Sequence, residues 1–352
     1  MQNTQENLLF KSWEYYRPLK ALFRSLIYRL RFLNELRAFR KNKMVHDLPE
    51  IFHYWSNKYL LPKLQQFGFN NPDEFFYKYC LEKCQQLTEK PLINILSVGS
   101  GNGELEVNIA KHLVENGITN FVLECMDINA RMHKRTVALA QEQGMAKHIK
   151  TLKADFNKWQ PTQEYDIVIA NQSLHHVTEL EYLFDGIYSS LTEQGIFIIS
   201  DMIGRNGHQR WPEALKLVND YWRKLPKKYK YNCRHKRHEI NYVNFDCSIT
   251  SFEGVRAQDI LPLLIERFEF RMFLPFANII MVFIDRKFGH NFDVNNPNDL
   301  KLIDEIHAED EAAILSGKIK PTQMLTVLNK SKIHKIQLLD TKLTPEFCLR
   351  QP

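Results

Sequence analysis

The chain has 352 residues, of which 44% are apolar and 25% are charged, a composition typical of a globular protein of about two domains. No stretch reaches the roughly 18 consecutive apolar residues that a transmembrane helix needs, and the start lacks the basic and apolar segments of a secretory signal. We therefore predict a cytoplasmic protein. Its six scattered cysteines are too sparse for a disulfide framework and are expected to be reduced thiols.

The net charge of +6 is concentrated at the start of the chain, where residues 1–50 hold ten Lys or Arg against five acidic residues. Apolar residues there recur every three or four positions with arginines between them, which predicts a basic amphipathic helix at 17–43. This helix could pack on its own domain, pair with another chain, or contact an anionic membrane peripherally. Further helices are predicted at 46–67 and 71–87. Residues 1–90 thus form a helical N-terminal region.

From residue 92 onward, strand and helix patterns alternate. The predicted strands are 93–98, 121–126, 149–153, 165–170 and 195–200, and the helices between them are 103–116, 130–143 and 179–191. Such alternation predicts a parallel sheet wrapped by helices, with the ligand at the carboxyl ends of the strands.

After residue 200 this rhythm breaks. An insertion at 201–250 precedes a predicted helix at 255–267 and a strand at 268–275, and a second, polar insertion at 286–318 precedes a last strand at 324–328. These elements make 91–330 one domain, followed by a C-terminal tail at 331–352. Insertions on a rigid scaffold are where substrate specificity usually lies.

Three glycines, Gly99, Gly101 and Gly103, directly follow the first strand. Glycine lets the backbone approach a ligand closely and accepts positive φ at little cost. The dinucleotide fingerprint needs a further glycine where this chain has Glu104. A carboxylate is a poor neighbour for a diphosphate and a tolerable one for a positively charged cofactor. The loop therefore favours S-adenosylmethionine over NAD, with Gly99, Ser100, Gly101, Gly103 and Glu104 as predicted contacts.

Acidic residues follow the second and third strands. Asp127, with Ile128 beside it, ends the second strand and is predicted to accept the ribose hydroxyls of the cofactor, with Glu124 as a fallback; helix capping is the alternative role. Asp155 is predicted to bind the adenine amino group, and Phe156 to contact the ring.

The segment 171–177, Asn-Gln-Ser-Leu-His-His-Val, leaves the fourth strand where the transferred group should lie. Asn171 is a predicted cofactor contact. His175 or His176 is a candidate base, because histidine has an unperturbed pKa of about 6.5, which suits proton removal near neutrality.

In order and on the expected elements, the glycine loop, Asp127, the sequence Ala-Asp-Phe at 154–156 and the segment 171–177 resemble the class I S-adenosylmethionine-dependent methyltransferases, particularly the small-molecule group with Leu-His-His after the fourth strand. The resemblance implies a Rossmann-like α/β sheet of seven strands whose last pair is antiparallel. One residue departs from the family pattern. At the position of Ser97 the family usually has an acidic residue, and that acid helps to hold the amino group of the cofactor. Glu104 could substitute for it.

The first insertion concentrates Arg205, His208, Arg210 and Trp211 after the fifth strand. Guanidinium groups and an aromatic ring suit an anionic or sugar-like acceptor. We predict acceptor contacts for both arginines and Trp211, and add His208 to the catalytic candidates. His290, in the second insertion, is a further candidate for acceptor binding.

Residues 223–238 hold eight Lys or Arg with two tyrosines interleaved, but no RNA-binding signature accompanies them, so a solvated surface is the favoured interpretation. Within this stretch Cys233, His235 and His238 offer three metal ligands without a fourth, and no metal is predicted. We expect a methyltransferase acting on a small or carrier-attached acceptor, most readily at oxygen. The alternatives are an RNA methyltransferase and a non-catalytic protein that binds the cofactor and regulates a partner.

Overall fold

The computed structural model describes residues 48–333 and 335–350. The predicted basic helix at 17–43 lies outside the described residues. Its proposed packing on its own domain, pairing with another chain or contact with a membrane therefore stays a prediction.

One large mixed sheet organises the structure. Its strands are β1 (Ile93–Val98), β2 (Phe121–Asp127), β3 (Ile149–Lys153), β4 (Tyr165–Asn171), β5 (Leu191–Met202), β8 (Glu269–Phe276), β9 (Gln323–Asn329) and β10 (Gln337–Leu338), and a separate hairpin pairs β6 (Tyr231–Asn232) with β7 (Arg237–His238). The spatial order is β10-β8-β9-β5-β4-β1-β2-β3. Strands β1 to β5 run parallel, and β9 is antiparallel to both β5 and β8.

The order of the strands reverses at β1, which pairs with β2 on one side and β4 on the other. In an open parallel sheet the ligand binds outside the carboxyl ends of the strands at such a switch point. This places the glycine loop, which leaves β1, and the segment 171–177, which leaves β4, on opposite sides of the same crevice.

Helices cover the sheet and bury its apolar side chains. They are α1 (Glu50–Trp55), α2 (Leu61–Gln66), α3 (Pro72–Gln85), α4 (Glu104–Glu115), α5 (Ala130–Glu142), α6 (Leu180–Ser190), α7 (Pro212–Lys224), α8 (Ala257–Arg267), α9 (Ile280–Ile284), α10 (Pro297–Leu315) and α11 (Pro345–Cys348). A π-helical turn, Ser56–Leu60, joins α1 to α2. A single hydrophobic core extends from Ile51 to Cys348.

The predicted Rossmann-like α/β sheet with an antiparallel final pair is confirmed, but the number of strands was wrong. The sheet has eight strands rather than seven, because Gln337 and Leu338 add a short parallel strand beside β8. Two residues are too few to show an alternating pattern, so this edge strand could not be predicted.

The second insertion, described from its sequence only as polar, contains the 19-residue helix α10. The buried face of α10 does not read as apolar in the sequence, because it includes polar residues. Asp299, His307 and Asp310 are buried along with Ile303 and Ile306. They are accommodated by hydrogen bonds. The Asp310 carboxylate, for example, accepts from the backbone N–H groups of residues 278 and 279.

Candidate active site

The glycine loop leaves an open cradle at the end of β1. All three glycines have positive φ, between 54° and 78°. A Cβ on Gly99 would lie 2.5 Å from Cβ of Ser173, and one on Gly103 would collide with Thr136, whereas one on Gly101 would meet no atom within 4 Å. The loop is therefore closely packed at both ends and open at Gly101. That shape fits a ligand lying against the backbone.

Asp127 holds this loop while keeping acceptor capacity. One carboxylate oxygen accepts from the N–H of Gly101 at 3.2 Å, and the other accepts from the N–H of Asn129 at 2.7 Å. A carboxylate has about four lone-pair sites, so it can still accept from ligand hydroxyls. Asn129 itself caps α5, which is the role considered as the alternative for Asp127. Glu124, the fallback acid, instead accepts from the hydroxyl of Tyr165 at 2.6 Å.

The end of β3 contributes Asp155 and Phe156 to the same crevice. The ring of Phe156 lies beside Gly99, 3.5 Å from where a Cβ would stand. Asp155 accepts from the N–H and the side-chain amide of Asn157 at 3.0 and 3.1 Å. The side-chain carbonyl oxygen of Asn157 in turn accepts from the backbone N–H groups of Thr178 and Glu179. This chain of contacts ties the predicted adenine region to the segment that carries the histidines.

A buried carboxylate does lie against Ser97, and it belongs to Glu106. The Ser97 hydroxyl donates to Glu106 at 2.6 Å, and both residues are 2% exposed or less. Glu104, which the sequence suggested as the substitute acid, is exposed at the first position of α4. Burial raises the pKa of Glu106 from about 4.5 to about 7. Its second carboxylate oxygen is buried and has no hydrogen-bond partner among the residues that the structure describes.

Three histidines and two carboxylates meet beyond the end of β4. The His175 ring nitrogen Nδ1 lies 2.6 Å from Asp201 on β5, and His208 Nε2 lies 2.9 Å from Glu253. Glu253 is also 3.7 Å from His175 Nε2 and 3.5 Å from His176 Nε2. We call these five residues the histidine–carboxylate cluster. It brings together all three predicted catalytic histidines.

The elements that build this cluster come from distant parts of the chain. His175 and His176 lie on a short 3-10 helix, Leu174–His176, whose backbone N–H groups at 173 and 174 donate to Asp201. The N–H of Val255 donates to the carbonyl of His175 and thereby fixes the loop that carries Glu253.

The cluster has strongly perturbed electrostatics. Burial disfavours a charged His175, but the Asp201 carboxylate outweighs this effect and raises the pKa of His175 from about 6.5 to about 10. Burial lowers the pKa of His208, and Glu253 opposes that shift only in part. Despite its own burial, Glu253 has a lowered pKa, because His175 and His208 are hydrogen-bonded to it. Perturbed groups of this kind, collected in one cleft, are typical of functional sites.

Residues 89–261 match a family model described as a methyltransferase domain. This match spans the glycine loop, Asp127, Asp155 and the whole histidine–carboxylate cluster. This part of the chain belongs to the class I S-adenosylmethionine-dependent methyltransferases. Its cofactor is S-adenosylmethionine, and the open cradle at Gly101 with the spare acceptor capacity of Asp127 fits that molecule.

Several curated proteins match parts of this methyltransferase. Malonyl-[acyl-carrier protein] O-methyltransferase 2 of Ilyobacter polytropus is 25% identical over 128 residues, which is 36% of this chain and 46% of that protein. Trans-aconitate 2-methyltransferase of Yersinia pestis is 28% identical over 78 residues, covering 22% and 30% of the two chains. The matches thus span less than half the length of these relatives.

Among solved structures, the O-methyltransferase of a trans-AT polyketide synthase multienzyme of Brevibacillus brevis, in complex with S-adenosyl-L-homocysteine, covers 72% of each chain at 15% identity, with a TM-score of 0.43.

The predicted acceptor residues of the methyltransferase fall into two groups. Arg205, Arg210 and Trp211 are partly buried in the first insertion, next to His208. Arg205 donates to the carbonyl of Arg210, and Arg210 donates to that of His208, so the two arginines brace the turn that carries this histidine. His290 is exposed on a short 3-10 turn, Gly289–Asn291, whose first residue packs closely against Pro49. Its acceptor role remains a prediction.

The tyrosines of the basic stretch at 223–238 have structural contacts. Tyr229 is 6% exposed, stacks on Phe292 with ring centroids 4.8 Å apart, and donates to Asp299 at 2.5 Å. Tyr231 packs edge-on against His238. Tyr229 is therefore not available to stack on a nucleic-acid base, whereas Tyr231 is only partly buried.

Sequence reasoning missed Asp201 and Glu253 as members of the site. Asp201 could have been noticed, because it ends β5 beside the strand that leads to the histidines. Glu253 had no such signal: it lies in an irregular loop before α8 and reaches the cluster only through the folded chain. Among the described residues, no helix has the length and apolar character needed to cross a bilayer.

Proposed function

We propose that the protein transfers the methyl group of S-adenosylmethionine to an oxygen atom of a small or carrier-attached acceptor in the cytoplasm. The observation that carries this proposal is the histidine–carboxylate cluster, which faces the same crevice as the glycine loop. Ser173 links the two sites directly: its hydroxyl donates to the carbonyl of Val98 at 2.6 Å, and its backbone N–H donates to Asp201.

Methyl transfer from a sulfonium is an in-line displacement that depends chiefly on alignment. A hydroxyl acceptor must also lose a proton, and a positioned histidine contributes typically about 10²–10⁴-fold to such a step. His176 and His208 both lie partly exposed against Glu253, whose negative charge stabilises a protonated imidazole. We assign proton acceptance to this pair. Asp201 holds His175 and orients the segment.

The acceptor class is supported by charge and by the relatives. Arg205 and Arg210 lie on the turn that carries His208, and their guanidinium groups suit an anionic group. One matching protein is named for a malonyl group on an acyl-carrier protein, and another for trans-aconitate. An acceptor with a carboxylate, either free or linked to a carrier, is consistent with both the site and these names.

Methyl-labelled S-adenosylmethionine would test this proposal directly. The full chain is incubated with trans-aconitate, malonyl-carrier protein and a panel of hydroxyl compounds, and products are identified by mass spectrometry. We expect methyl transfer to oxygen, with hydroxyl turnover reduced by roughly 10²-fold or more in His208→Ala. The exposed His53→Ala serves as the control and should retain activity. Cofactor binding without transfer to any acceptor would instead favour a non-catalytic regulatory protein.

A further inference from the structure

Three side chains of the cluster converge as metal ligands would. His175, His176 and Glu253 each present a ligand atom, and these atoms all lie within 4.8 Å of one another. His175 Nε2 lies 3.7 Å from one carboxylate oxygen of Glu253, and His176 Nε2 lies 3.5 Å from the other. Around a tetrahedral ion with bonds of about 2.0–2.1 Å, neighbouring donors stand roughly 3.3–3.5 Å apart. Because the three ligand atoms lie within 4.8 Å of one another, binding an ion requires them to approach by at most about 1.5 Å.

The groups behind these ligands have the arrangement that metal sites use to orient them. Asp201 is fully buried and engages His175 through Nδ1, which leaves Nε2 directed at Glu253. His208 in turn contacts Glu253 at 2.9 Å. A metal-ligating histidine almost always donates its other ring N–H to a carboxylate or carbonyl, and ligating carboxylates are themselves hydrogen-bonded. The first feature is present for His175 and the second for Glu253.

We propose that this methyltransferase binds a divalent transition-metal ion, with zinc as the type, through His175 Nε2, His176 Nε2 and the Glu253 carboxylate. Two histidines and one glutamate are a donor set of catalytic zinc sites, which leave the remaining position open to a substrate. Imidazole nitrogen also favours zinc and its neighbours over magnesium or calcium, which prefer oxygen ligands. The sequence alone led us to expect no metal, because the pairing of Glu253 with the histidines exists only in the fold.

The proposed ion deepens the proposed function and rests on it for its chemical role. A Lewis acid at the open position polarises an acceptor hydroxyl and eases its deprotonation. With the ion bound, His176 serves as a ligand, and the proton of the broken O–H bond passes to His208 alone. The oxygen lone pair then forms the bond to the methyl carbon, while the carbon–sulfur bond breaks and leaves its electron pair on the sulfur of S-adenosylhomocysteine. The cation would thus activate the acceptor, and His208 would hold the glutamate ligand.

The test is a titration that needs neither cofactor nor acceptor. The full chain is stripped with a chelator and titrated with Zn²⁺ by calorimetry and with Co²⁺ by visible absorption. We expect one ion per chain and the d–d bands of a low-coordinate Co²⁺ site. Glu253→Gln and His176→Ala, both at partly exposed side chains, should each weaken binding at least tenfold. His53→Ala and Cys233→Ser are the controls and should bind as the wild type does.

Several results would overturn the inference: no stoichiometric binding, unchanged binding in both cluster variants, or loss of binding in Cys233→Ser alone, which would place the ion at the hairpin. Binding of S-adenosylhomocysteine, measured on each variant, confirms that it is folded. Turnover separates this inference from the proposed function. Full methyl transfer by the stripped, metal-free protein overturns the metal role alone, whereas Zn²⁺ binding without any methyl transfer supports the site and contradicts the proposed function.

Discussion

Replacing Glu106 by glutamine should change how the stability of the protein depends on pH. The Glu106 carboxyl is 2% exposed, and burial raises its pKa from about 4.5 to about 7. A glutamine has nearly the same shape and can still accept the hydrogen bond that Ser97 donates. It carries no charge, however, at any pH.

The sign of the effect follows from the raised pKa. Below pH 4.5 the group is neutral in both the folded and the unfolded chain. As the pH rises toward 7, the unfolded chain releases the proton first, so the stability of the folded state falls until the pKa of about 7 is passed. The shift corresponds to about 3 kcal/mol of lost stability at high pH. Glu106→Gln should not show this loss.

Urea unfolding followed by tryptophan fluorescence at pH 5.0 and pH 8.5 would measure the difference. The quantity compared is the free energy of unfolding of Glu106→Gln minus that of the wild type. We expect this difference to be about 2 to 3 kcal/mol larger at pH 8.5 than at pH 5.0. Glu104→Gln, which removes the same charge from an exposed position two residues earlier, should follow the wild type. Identical pH dependence in wild type and Glu106→Gln, or the same gain in Glu104→Gln, would refute this reasoning.

Two further substitutions test the loop and the cluster. Gly103→Ala places a Cβ against Thr136 at a φ of 76°, whereas Gly144→Ala has a similar φ of 72° but no atom of the described residues within 4 Å of the added Cβ. Gly103→Ala should therefore cost more stability, and it alone should weaken cofactor binding. Equal effects of the two variants in unfolding and in calorimetry would contradict the loop geometry. Asp201→Asn removes the charge beside buried His175 and should cost about 3 kcal/mol of stability. The pKa of His175, followed by NMR, should fall from about 10, although Glu253 still raises it; an imidazole that still titrates near 10 would show that another group sets this pKa.

Local pattern was sufficient to predict the scaffold of this protein. The strands β1 to β4 begin within a residue of their predicted starts, because each is an apolar run bounded by turn residues. The three glycines and Asp127 could also be identified as candidate cofactor contacts, since they lie directly at the ends of their strands in the sequence. Features that depend on a few residues or on a polar buried face were missed, as β10 and α10 show.

The histidine–carboxylate cluster shows where sequence reasoning ended for the site. His175 and His176 were visible because they follow β4. Their partners were not: Asp201 lies 26 residues from His175, and Glu253 lies 45 residues from His208. Only the pairing of β4 with β5 and the return of the loop before α8 bring these groups together. The carboxylate beside Ser97 is a similar case, because the contact of Glu106 on α4 with Ser97 exists only in the fold.

The assignment of the crevice at the end of β1 as the cofactor site is tested most directly by titrating the full chain with S-adenosylhomocysteine in a calorimeter. We predict one binding site per chain and at least tenfold weaker binding in Asp127→Ala, which loses the predicted ribose acceptor and the contact to Gly101. The Asn70→Ala variant, which alters an exposed side chain remote from the glycine loop in sequence, serves as the control and should bind like the wild type. No binding by the wild-type chain, or equal affinity in Asp127→Ala, would contradict the assignment.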